Sequence, residues 1–70
     1  MDKKDKDLMK LSKLCEHWAD HNESHKESFL KWRNIANQKG LELVVANLDK
    51  AIEMLDNCNE FLIKAKNKLE

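Results

Sequence analysis

Apolar residues recur along this chain at steps of three and four, the spacing that places side chains on one face of an α-helix. The first frame runs Leu8, Leu11, Cys15, Trp18, Asn22, His25, Phe29, Trp32 and Ala36. It keeps a seven-residue phase throughout, the pattern of a helix packed along a narrow seam. Leu14 and Ile35 widen the stripe on one flank. "NQKG" then closes the segment: Lys39 suits a helix C-terminus, and Gly40 can take the left-handed conformation that often follows one. A second frame starts at once, through Leu41, Val44, Leu48, Ala51, Leu55, Cys58, Leu62, Ala65 and Leu69, broadened by Val45, Ile52, Met54 and Phe61. Glu42 in its first turn and the lysines of "KAKNK" in its last both complement the helix dipole.

This pattern predicts an all-α antiparallel two-helix hairpin forming one domain. Residues 1–6 read as a disordered polar terminus, 7–38 as a helix, 39–41 as a turn and 42–69 as a second helix. "ADHNES" is the poorest helical stretch, and Asp20 with Glu23 has the form of a capping box that would start a new helix there. The unbroken phase from Leu8 to Ala36 argues instead for one continuous helix. With the turn centred near Gly40, Trp32 falls near Leu48, Phe29 near Ala51, His25 near Leu55, Asn22 near Cys58, Trp18 near Leu62 and Cys15 near Ala65. Both tryptophans and Phe29 are then expected in the core. Cys15 and Cys58 lie ~10 Å apart along the axis, too far for a disulfide within one chain.

A chain of 70 residues has a poor surface-to-volume ratio and needs help beyond its own core. Helix 2 carries apolar residues on both flanks of its seam, more than one partner helix covers. Together these predict a homodimer that forms a four-helix bundle, with a monomeric hairpin or a piece of a larger complex as the alternative. The charge balance narrows the partners further. Thirteen basic residues oppose thirteen acidic ones, so no cationic excess marks a nucleic-acid or anionic-lipid partner. The longest apolar run, Leu43 to Ala46, is far too short to span a membrane, and "MDKKDKDLMK" carries no secretory signal. The expected compartment is the cytoplasm, and its two cysteines are expected as free thiols.

The candidate chemistry is concentrated in "CEHWADHNESHKESFLKW", residues 15 to 32, which holds all three histidines: His17, His21 and His25. Spacings of four and four rotate each ring by about 40° from the last, so the row spirals from the outer flank at His17 into the expected seam at His25. Histidines at i and i+4 form a common two-ligand unit for zinc, nickel or copper. His17 and His25 stand about 12 Å apart along the axis, so one ion does not take all three. A complete site therefore draws ligands from elsewhere: Cys58, expected opposite Asn22, or a second pair of histidines from a dimer. The competing reading is a polar layer of His25 and Asn22 that sets register, as a buried Asn does in coiled coils. Metalloprotease chemistry does not fit, because "HNESH" places Glu23 one position away from where H-E-x-x-H requires it. No covalent haem motif or phosphate-binding glycine loop is present either, and the chain reads as non-catalytic.

His17, Trp18, His21, Asn22, His25 and Phe29 make up the string H-W-x-x-H-N-x-x-H-x-x-x-F, which resembles a small prokaryotic family of uncharacterised helical-hairpin domains. Gly40 and "NCNEFL", including Asn59, are similar to its second half. The resemblance covers the chain from about Leu11 onward. It implies the hairpin fold and gives weight to the histidine row. Some such domains occur in a nickel or cobalt setting, which implies a metal. Two expectations follow. One is a metal-binding module using His17, His21 and His25 with Cys58, taking nickel, zinc or cobalt. The other is an oligomerisation or protein-interaction module whose polar layer is structural.

Overall fold

The computed structural model describes residues 5–69, and residues 1–4 of the expected disordered terminus lie outside that range. Helix α1 spans Lys6–Gln38 and helix α2 spans Glu42–Lys68. The first helix starts one residue earlier than expected because Asp5 caps it. The Asp5 carboxylate accepts from the Asp7 and Leu8 N–H groups at 3.0 and 3.3 Å, which satisfies two donors that the helix itself leaves free. α1 runs unbroken through "ADHNES", so Asp20 and Glu23 form no cap there. It ends in a Schellman motif. The Gly40 N–H donates to the Asn37 carbonyl and the Leu41 N–H to the Ala36 carbonyl, each at 3.1 Å. Gly40 makes this possible with φ +71°, the one positive value among the described residues.

The short turn folds α2 back along α1, giving a rod of 55 × 15 × 11 Å. Cross-helix contacts fix the register. Asn22 meets Cys58 and Asn59, Lys26 meets Asp56, Arg33 meets Asp49 and Glu16 meets Lys66. Asn22 therefore lies beside Cys58, as the turn position implies.

The seam itself differs from the expected one. On α1 the buried and half-buried positions along the seam are Leu8, Ser12, Cys15, Ala19, Asn22, Lys26, Phe29, Arg33 and Ala36, with Leu14 and Ile35 half-buried on the flank. On α2 they include Val45, Leu48, Ile52, Leu55, Asn59, Leu62, Lys66 and Leu69. Leu8, Cys15, Asn22, Phe29 and Ala36 of the expected frame survive on α1, and Leu48, Leu55, Leu62 and Leu69 on α2, whereas Leu41 is exposed. Leu11, Trp18, His25 and Trp32 give way to Ser12, Ala19, Lys26 and Arg33. On α2, Val44, Cys58 and Ala65 give way to Val45, Asn59 and Lys66, and Ala51 stays half-buried beside Ile52. Among the described residues the buried ones are Cys15, Ala19 and Ala36, all small. Small residues let two helix axes approach to about 8–10 Å, whereas a tryptophan in the seam would wedge them apart. Trp18 and Trp32 are accordingly 43 % and 58 % exposed, not core residues.

One side of the hairpin is laced with charge. Glu16–Lys66, Lys26–Asp56 and Arg33–Asp49 pair across the helices at 3.1, 2.8 and 2.9 Å. The hydrogen bond to Asp56 holds the Lys26 ammonium above its ordinary range, and that to Asp49 does the same for the Arg33 guanidinium. A raised pKa means that the Lys26 contribution is complete below the ordinary lysine value of 10.5 and is lost as pH climbs through the raised one. Thermal melts should accordingly show a lower midpoint above that pH.

No atom lies within 4 Å of a Cβ added at Gly40, so a substitution there acts through the backbone alone. Gly40→Ala is expected to lower the melting midpoint through a strain of about 1 kcal/mol, and Gly40→Asn to cost less. Calorimetry of the two variants checks the order.

Candidate functional site

The histidine row occupies the middle of α1, where the helix is stiffened by its packing on α2. His25 does not enter the seam. The seam passes through Lys26 instead, and His17, His21 and His25 all lie exposed. The rings of His17 and His21 stack with centroids 6.2 Å apart, and His21 meets His25 edge-on at 4.5 Å. His25 leans in turn toward Phe29, 6.2 Å between centroids.

The closest contact in the row joins His21 and His25. Their Nε2 atoms stand 2.9 Å apart. One Nε2–H donates to the lone pair of the other, so the arrangement needs at least one neutral imidazole. The two far nitrogens thus meet on the exposed surface of a single helix. Two ligands each ~2.05 Å from an ion stand about 2.9 Å apart at a right angle and about 3.3 Å apart at the tetrahedral angle. The His21–His25 separation falls at the right-angle end of that range, which square-planar and octahedral ions use.

Cys58 lies on the same side of the hairpin as His21 and His25 but is engaged elsewhere. Its exposed thiol accepts from the Asn22 Nδ2–H at 3.5 Å. Cys15 is a buried free thiol. Among the described residues, no three His, Cys, Asp or Glu side chains come together as a ligand set. The fold therefore brings together two of the four expected ligands, stacks His17 behind them, and leaves Cys58 bound to Asn22.

A polar layer does cross the seam, with different members from those expected. Asn22 Nδ2 donates to Asn59 Oδ1 at 2.9 Å, and Asn59 Nδ2 donates to Glu23 Oε1 at 3.1 Å. The layer joins Asn22 to Asn59 and Glu23, and His25 takes no part. The sequence signal was present in Asn59, which sits at the seam spacing between Leu55 and Leu62. Its neighbour Cys58, which the expected frame includes, lies exposed one step off the seam.

A family model described as a domain of unknown function, DUF8180, matches residues 11–69, so the chain belongs to that family. The matched span contains the whole histidine row, the turn and α2. No curated protein and no solved structure gives a significant match.

The asparagine layer makes a stability prediction with a sign. Asn22→Ala removes the cross-helix bond and leaves the Asn59 carbonyl without its partner, at a cost of about 1 kcal/mol. The double variant Asn22→Leu/Asn59→Leu is expected to lose less than the two single variants combined, since no half-satisfied amide remains. Urea denaturation of Asn22→Ala, Asn22→Leu, Asn59→Leu and the double variant measures both.

Proposed function

We propose that this DUF8180 member is a small non-catalytic hairpin that binds a transition-metal ion, nickel, zinc or cobalt, through its histidine row in the cytoplasm. His21 and His25 are the chelating pair. His17 extends the row, and Cys58 is the thiol nearest in the fold that could join it once Asn22 lets go. Nucleic acid and membrane are not its partners on this reading.

The observation that carries the proposal is the convergence of the two Nε2 atoms on one exposed point. Exposed histidines on a helix are free to turn away from each other, and a pair aimed at a common centre is the geometry that an i, i+4 chelate requires.

A second reading has an observation of its own. The Asn22–Asn59–Glu23 chain is a satisfied polar layer in the seam, the device that fixes register in helical assemblies. On that reading the domain is an oligomerisation or interaction module and the histidines are surface residues.

Metal titration separates the two. The metal reading expects a dissociation constant at or below about 1 µM, equivalent to some 8 kcal/mol, for at least one of nickel, zinc and cobalt. His21→Ala or His25→Ala should weaken it by about 100-fold or more, because each removes a ligand outright. Affinity should fall on acidification as protons compete for the imidazoles. Millimolar binding unaffected by either variant would favour the interaction module. Isothermal titration calorimetry of chelator-free, untagged protein reads all of these.

A further inference from the structure

The two sides of the hairpin differ in kind. The side carrying Glu16, Lys26, Arg33, Asp49 and Asp56 is cross-linked by ion pairs. The opposite side of α1 presents Leu11, Leu14, Trp18, His21, His25, Ser28, Trp32 and Ile35. These eight positions repeat at three and four without a break and hold no charge, in a chain that is 37 % charged. The matching side of α2 presents Val44, Asn47, Ala51, Met54, Cys58, Phe61 and Ala65, again without a charge. Leu11, Trp18, Trp32, Val44, Met54 and Phe61 are each 40 % or more exposed.

The direction of this face is informative. At 100° per residue this face lies about 110° from the seam on each helix, on the same side of the hairpin, and the mean apolar direction falls between the two, about 50° from the line joining the axes. In a two-helix hairpin the apolar stripe points at the partner. In a square four-helix bundle it points at the bundle axis, roughly 45° from each neighbour. The area agrees. A compact monomer of 8.3 kDa exposes about 4,600 Å², and this chain exposes 5695 Å². The excess of roughly 1,100 Å² is comparable to the ~800 Å² that each partner gives to an interface of standard size.

The face is also complementary to itself. The eight α1 positions are symmetric about residue 23, next to the midpoint of Lys6–Gln38. Running antiparallel to a second copy of itself, α1 sets Leu11 against Ile35, Leu14 against Trp32, Trp18 against Ser28 and His21 against His25. Large meets small at Trp18, and no charge is buried at any layer. We propose that a second copy of this chain closes the uncharged face in this antiparallel sense, so that His21 and His25 of both copies meet on the two-fold axis as one four-imidazole cluster. The interface stands on the two faces alone. Occupation of the cluster by an ion rests also on the metal reading above, and supplies the two ligands that a single hairpin lacks.

The native chain suffices for the test. Sedimentation equilibrium at tens of micromolar gives the mass, and isotope-filtered nuclear Overhauser spectra on mixed labelled and unlabelled chains give the orientation. The expected result is a dimer with contacts between copies from the Trp18 ring to Ser28 and from Leu11 methyls to Ile35. A monomer overturns the proposal. So does a dimer whose contacts run from α1 of one copy to α2 of the other, such as Trp18 to Phe61, since that is the parallel arrangement. Trp18→Glu should weaken the dimer by 100-fold or more while circular dichroism stays helical, and an undiminished dimer counts against the face. Metal stoichiometry then separates the two claims. One ion per two chains supports the shared cluster, and one ion per chain overturns it. With no ion bound the metal reading alone fails, and the contacts between copies still decide the interface.

Discussion

A helix presents only a narrow arc of its circumference to any one neighbour, and a hairpin supplies each helix with one neighbour. Much of this protein's organisation follows from that limit. The arc in contact must bring the axes close enough to exclude water over a long, thin interface. Cys15, Ala19 and Ala36 do so by being small, and no large side chain is fully buried. The aliphatic stems of Lys26, Arg33 and Lys66 run along the same seam and end in ion pairs at its edge. Against them α2 sets Val45, Leu48, Ile52, Leu55 and Leu62, which are only half-buried. Trp18, Trp32, Met54 and Phe61 stay exposed on the flank, which ties the fold to the proposed bundle.

The same limit explains what sequence periodicity could and could not reveal. The number of helices, the position of the turn, the cap at Gly40 and the meeting of Asn22 with Cys58 were all legible, because each depends on phase along the chain or on one residue's backbone freedom. The rotation of each helix about its own axis was not legible. Periodicity reports the mean direction of all apolar residues, whichever neighbour each one serves. Leu8, Cys15, Phe29 and Ala36 serve the hairpin. Leu11, Trp18 and Trp32 lie exposed beside its seam, yet they weigh heavily in any hydrophobic count. The expected frame therefore pointed between two faces, and His25 was assigned to a core that it does not enter.

Something similar holds for the site. Spacing alone placed His17, His21 and His25 along one helix, and it is sufficient to foresee that adjacent rings meet. It could not say which pair converges, since that is decided by side-chain rotamers within a row that all three share. Nor could it assign Cys58. Its place opposite Asn22 was correct, and that very closeness gives the thiol a hydrogen-bond partner other than a histidine.

The polar layer and the histidine row are then best understood as separate devices with adjacent addresses. Asn22, Asn59 and Glu23 complete one another's hydrogen bonds inside a single hairpin and ask for nothing further. His21 and His25 satisfy each other only by sharing one proton between two exposed nitrogens, a contact that water could replace at little cost. A chain that needed only a register device already has one. The rings sit instead on the uncharged face, about half a turn either side of its point of symmetry. At that position whatever covers the face must either supply partners for two imidazoles or bury them unsatisfied, and the second option is the costly one. In the proposed dimer the imidazoles of a second copy would supply those partners with no residue the chain does not already carry.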